Sequence, residues 1–127
     1  MAQANLNGTP LEISTDNDSI VIKETLIDIP GGKTLDVTGF TPEVINAGHI
    51  IIEQTATKEL KPMPVSGSAY AALPADHTYK GVLIATVLTK KPLASIMLSG
   101  NVNEVASPFA VPAAAKTALT HILFTQD

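Results

Sequence analysis

The 127-residue sequence contains no cysteine, no tryptophan and no arginine. Without cysteine, disulfides, thiolate catalysis and cysteine-ligated zinc are excluded, and the redox compartment leaves no mark. All eight basic residues are lysines. They lack the planar fork that clamps phosphates and reads base edges, and a net charge of −4 leaves no basic surplus for counterion release. Nucleic acid is therefore disfavoured as a partner. Aromatics make up only 4% of the chain, so the core must be built from Val, Ile, Leu and Ala. No apolar run comes near the roughly 18 residues that cross a bilayer. The opening "MAQANLNGTPLEISTDNDS" also lacks the basic start and apolar stretch of a signal peptide. The expectation is a soluble protein with no membrane partner, made in the cytoplasm of its producer.

What the chain does have is aliphatic bulk. Apolar residues reach 45% while charged residues stop at 16%, which leaves little polar surface to cover one small domain. A buried contact with other subunits would account for the excess.

Residues Met1 to Ser19 are polar and aperiodic, and read as a flexible N-terminal arm. From Ile20 the text turns strand-like in "IVIKETLIDIPGGKTLDVTGF". A hairpin-like element is expected there, with Ile20 to Ile29 and Thr34 to Val37 extended on either side of Pro30-Gly31-Gly32. Thr41-Pro42-Glu43 fits one helical turn, with Thr41 as N-cap. A second hairpin follows, with strands His49 to Glu53 and Glu59 to Met63. Ser66 to Tyr79 reads as a loop, with room for a helical turn over Ala69 to Leu73.

Gly81 to Thr89 and Ser95 to Val102 are apolar runs without alternation, the mark of strands covered on both faces at the centre of a sheet. The link between them would expose Lys90 and Lys91 in a charged turn. Ala85, Ala94, Ser95 and Ser99 are small enough to let the two strands pack closely. Asn103 to Pro112 reads as an extended link, Pro112 to Leu119 as a short helix, and "HILF" as a closing strand. The sum is mainly β, shading to α+β: a compact β-rich domain with one or two short helices and an extended arm. Residues 20–127 form one domain, with 20–47 as a strand-rich extension of it.

Chemistry is hard to find. His49 and His121 have no ligand-type neighbour at i+2, the spacing that puts two side chains on one face of a strand, so a structural or surface role is favoured over zinc. His77, beside Asp76 in "PADHTY", is the best functional candidate, although a turn held by the Asp side chain is the favoured reading. "DNDS" at Asp16 to Ser19 lacks the Gly and Glu of a calcium loop. Gly31-Gly32-Lys33-Thr34 has no earlier Gly at phosphate-loop spacing. Ser66-Gly67-Ser68 is not a nucleophile elbow. No catalytic, cofactor-binding or metal-binding residue is assigned, and no enzyme activity or cofactor is expected.

The order "HIIIEQTATKELKPM", "KGVLIATVLTKKPLASIMLSGNVNEVA" and "PAAAKTALTHILF" resembles the head decoration proteins of tailed bacteriophages, of the lambda type. There too a hairpin precedes a Gly-(Val/Ile)-Leu strand, a second long strand follows, and a short helix leads into the last strand. The likeness covers Gly48 to Phe124. It departs from the lambda type in the longer segment Ile20 to Ala47 and in the lack of Trp. The resemblance implies a homotrimer on the exterior of the virion that stabilises the capsid by clamping adjacent subunits of the phage major capsid protein. It would be made in the bacterial host's cytoplasm. An extended "IVIKETLIDI" could then add to a strand edge of the capsid protein through Ile20, Val21, Ile22, Leu26 and Ile27. The same residues could instead pair within the domain. The alternative function is a head-fibre or appendage protein that binds a host receptor or glycan through Tyr70, His77 and Tyr79.

Overall fold

The structure, a computed structural model, describes residues 18–29 and 32–126. The arm expected over Met1 to Ser19 lies outside the described residues except for its last two positions, and so do Pro30 and Gly31 of the expected turn.

The chain is β-rich. One sheet runs in the order β1-β11-β8-β4-β5, made from Ile22–Asp28, Ile96–Asn103, His77–Leu83, Ile50–Gln54 and Leu60–Pro62. A last strand, β12 (Ile122–Thr125), runs parallel to β11, whereas the other neighbours are antiparallel. β11 meets β8 at Ile96 and Met97 and β12 from Gly100 onward, so the two share one edge of β11 while β1 takes the other. Three two-stranded ribbons complete the fold. β2 (Lys33–Thr34) pairs with β10 (Leu93–Ala94), β3 (Val44–Ile45) with β9 (Val87–Leu88), and β6 (Val65–Ser66) with β7 (Ala69–Tyr70). The helices are α1 (Asp18–Val21), α2 (Ala113–Ala118) and a 3-10 turn over Glu104–Ala106.

The unbroken apolar text of the central strands follows from burial on both faces. Ile50, Ile51 and Ile52 are all buried, as are Val82 with Leu83 and Ile96 with Met97. Ile51, Leu83 and Ile96 point to one side, where Leu35, Ile45 and Ala94 cover them. Ile50 and Ile52 point to the other, against Met63 and Ala115 of α2. Val82 and Met97 meet Val21, Leu119 and Ile122 on that same side. Burying each such side chain is worth about 1.5–3 kcal/mol, so this three-layered aliphatic core can hold the domain without disulfides.

Several elements differ from expectation, most of them because a distant partner displaces a local one. The first hairpin does not form. β1 pairs with β11, and Lys33–Thr34 with Leu93–Ala94 instead of with β1. Thr41 to Glu43 is not helical. The Glu43 carbonyl accepts the amide and the hydroxyl of Thr89, both at 3.0 Å, which holds the chain extended into β3.

Ala69 to Leu73 makes no helical turn. Gly67, at φ 64°, closes the β6–β7 ribbon, and the Tyr70 hydroxyl accepts the Ile50 amide at 3.0 Å. The Gly81 to Thr89 run is not one strand either. β8 ends at Leu83, the Ile84 amide bonds the Ser95 carbonyl at 2.9 Å, and Val87–Leu88 leaves to pair with β3. Of the small residues, Ala94 is buried but Ala85 and Ser95 are exposed. The close approach comes at Gly81 instead, where a Cβ would collide with the Met97 carbonyl. The β4–β5 hairpin, the exposed Lys90 and Lys91, the Pro112-led helix and the closing strand stand where they were expected.

Candidate functional site

The expected contact residues do not share one environment. Ile20 lies on the helical turn α1 and is exposed, whereas Val21 is buried against Val82, Met97 and Val102 and cannot touch a partner. Ile22 packs partly on that same cluster. From Lys23 to Asp28 every β1 residue is exposed, and Leu26 and Ile27 leave 66% and 58% of their surface to solvent. Thus "IVIKETLIDI" pairs within the domain along one edge. Among the described residues β1 has no strand on its other edge, because it terminates the sheet. Exposed Leu93, Val105 and Leu123 add apolar surface that periodicity alone did not single out.

The expected ligand loop is also rearranged. Tyr70 does not project outward. Burial pushes its phenol above the ordinary value, against a smaller opposing effect from the bond with Ile50. Tyr79 stands in β8 and packs on the Ile50, Ile52 and Met63 cluster. His77 opens β8 and forms a wall of a cleft of about 200 Å³. Asp36, the segment Thr38 to Pro42, Ile52 of β4, Lys61 and Pro62 of β5, and Pro64, Val65 and Pro74 also line that cleft. At its rim the Asp36 carboxylate accepts the Thr38 amide at 3.1 Å and hydroxyl at 2.7 Å and lies 3.7 Å from the Lys61 ammonium. These partners, Thr38 foremost, hold the Asp36 carboxyl below its ordinary range.

His49 belongs to the interior. Its ring is edge-on to Phe40, Tyr70 and Phe109, with centroids 5.6, 5.1 and 5.8 Å away. Three of the five aromatic residues therefore enclose one histidine, a grouping that sequence spacing could not reveal. His121 is exposed in the turn before β12. Among the described residues no three His, Asp or Glu side chains gather to hold a metal ion, and no helix is long and apolar enough to cross a membrane. A further polar cluster closes the C-terminal end. Glu104 accepts the Gln126 side-chain amide at 2.7 Å and pairs with Lys116 of α2 at 2.7 Å. Both partners, Gln126 first, lower the Glu104 carboxyl.

The geometry thus offers two surfaces, an edge strand that exposes Leu26 and Ile27 among charged neighbours and, at the opposite edge of the sheet, a small cleft that four prolines help line. Compared with known protein families, curated proteins and solved structures, the chain matches none.

Proposed function

We propose that this chain is a structural virion protein that binds the outside of a phage capsid and stabilises it by clamping adjacent major capsid protein subunits. It acts as a homotrimer and carries out no catalysis. The observation that supports this reading best is β1, an edge strand with exposed Leu26 and Ile27 and, among the described residues, one backbone edge without a strand partner. Such an edge is an aggregation hazard in a free protein and an asset in one that docks. A strand of a capsid subunit added there would satisfy the backbone groups and lay its own side chains beside Leu26 on one face and Ile27 on the other. The order of hairpin, two central strands, helix and closing strand, on which the likeness to lambda-type decoration proteins rests, adds to it. Exposed Leu93, Val105 and Leu123 supply apolar surface for contacts between copies. Weak contacts repeated over a lattice then add up by multivalency.

Co-sedimentation with expanded heads tests the reading. The protein is expected to pellet with expanded heads, and the Leu26→Glu/Ile27→Glu double variant to stay in the supernatant. Wild-type protein that never pellets with heads of any expansion state refutes the capsid assignment. Light scattering after size exclusion tests the trimer, whose mass is three times the 13.3 kDa of one chain.

A further inference from the structure

The lysines divide into two groups. Lys58 and Lys80 pair with Glu53 at 4.0 and 3.5 Å, Lys61 with Asp36 at 3.7 Å and Lys116 with Glu104 at 2.7 Å, and Lys23 is engaged as well. Lys33, Lys90 and Lys91 are exposed and form no ion pair among the described residues. The fold brings these three together. Lys33 belongs to β2, which pairs with β10, and Lys90 and Lys91 stand in the turn that leads into β10. The Lys91 amide closes that turn on the Leu88 carbonyl at 3.0 Å, and the Leu35 amide on the Pro92 carbonyl at 2.9 Å fixes β2 beside it.

Leu93 stands among them, 61% exposed, two residues after Lys91 and paired across the ribbon with Thr34, next to Lys33. Two acidic residues are near. Asp36 is engaged by Thr38 and Lys61, and Glu43 is tied through its carbonyl to Thr89, the residue before Lys90. The tip thus keeps a positive surplus in a chain whose net charge is −4.

The chemistry of the patch selects its occupant. A phosphate polymer is a poor match, because the chain as a whole repels it, no arginine is there to fork onto phosphates, and a leucine offers a base no stacking face. A second copy is a good one, since each copy carries more carboxylates than lysines. The patch cannot face itself across a two-fold axis, which would set lysine against lysine. It calls for a head-to-tail contact, the kind that closes into a ring. Among the described carboxylates that are exposed and have no ion pair, Glu24 and Asp28 lie on β1, the edge given to the capsid, and Glu43 on the tip itself. Glu59 and Asp76 remain. They meet at the β4–β5 turn, where their carbonyls accept the amides of Gln54 and Thr55, each at 2.9 Å.

We propose that the ribbon of Lys33, Lys90 and Lys91, with Leu93 among them, is the contact between copies and seats the Glu59 and Asp76 carboxylates of a second copy. It rests on the homotrimer read above and gives that trimer a surface.

Two measurements on the full chain test it. In light scattering after size exclusion, the trimer's dissociation constant is expected to rise about tenfold from low salt to about 1 M, where the screening length falls to about 3 Å. The Lys33→Gln/Lys90→Gln/Lys91→Gln variant should show that rise already at low salt. Zero-length carbodiimide crosslinking of mixed 15N-labelled and unlabelled wild type joins lysines to carboxylates in contact, and mixed-isotope pairs mark links between copies. Links from the three lysines to Glu59 or Asp76 of another copy are expected. A trimer whose mass holds in salt and in the variant, or links between copies made only by other lysines or to other carboxylates, overturns this contact and leaves the capsid reading standing. A monomer at every salt concentration overturns the contact and the trimer together, while pelleting with heads still judges the capsid reading by itself.

Discussion

The Nε2–H of His49 donates to the Met63 carbonyl at 2.9 Å, tying the residue before β4 to the residue after β5 inside the core. His49 is only 2% exposed, and desolvation outweighs that bond and lowers its pKa to about 4, from 6.5. The folded pKa lies below the unfolded one, so the unfolded chain binds a proton that the folded protein refuses. Stability is therefore full above pH 6.5 and falls as the pH drops from 6.5 to 4, by about 3 kcal/mol at order of magnitude. Urea midpoints measured across that range test this. His49→Gln keeps a donor for Met63 but cannot titrate, and its curve should be flatter there. Parallel curves for variant and wild type would rule out His49 as the source.

Gly81 sits where β8 passes closest to β11, and an added Cβ would collide with the Met97 carbonyl and press on Ile96 Cγ2 at 3.1 Å. Gly81→Ala forces two central strands apart. The expected cost is about 1–3 kcal/mol, read as a lower thermal midpoint, despite the better intrinsic propensity of alanine. An unchanged midpoint would mean that β11 yields at this point.

Asp76 is held left-handed at φ 60°, a conformation that β-branched residues tolerate poorly. Asp76→Val should lower stability by about 1–2 kcal/mol and Asp76→Gly should not. Thr55→Val removes the hydroxyl bond to the Asp76 carbonyl and should cost about 0.5–1.5 kcal/mol. Chemical denaturation of the three variants gives the ranking. A loss in Asp76→Gly as large as in Asp76→Val would place the effect in the side chain and not in the backbone.

Leu26 and Ile27 rest on no core cluster, so Leu26→Glu and Ile27→Glu should each leave folding free energy within about 0.5 kcal/mol of wild type. Denaturant midpoints check this. A drop above 2 kcal/mol would show that β1 is buried in the protein as it exists in solution, by a second copy or by another part of the chain.

Sequence periodicity made the central strands legible because burial on both faces leaves a local trace. "III", "VL" and "IM" at residues 50–52, 82–83 and 96–97 are apolar at consecutive positions, and such runs are buried on both faces of β4, β8 and β11. The β4–β5 hairpin and α2 were legible for the same reason, since their partners or caps are near in sequence. The β2, β3, β9 and β10 ribbons were not. Each is two residues long, and each partner lies more than forty residues away.

By itself, then, the sequence determined the class of fold, because short apolar runs rich in Ile and Val, broken at close intervals by Gly, Pro and other turn residues, favour a β-rich core of short strands. It also determined which strands are central, since consecutive burial is written in residue type. Tertiary structure alone decided the rest. It placed β1 on β11 and not on its neighbour, buried Val21 while leaving Leu26 and Ile27 outside, and enclosed His49 in three rings. It also brought His77 to a cleft shared with Asp36 and four prolines from distant segments. The reason is physical: strand pairing and burial are settled by competition among distant segments for the same hydrogen bonds and the same dry surface, and no local window of residues contains the competitors.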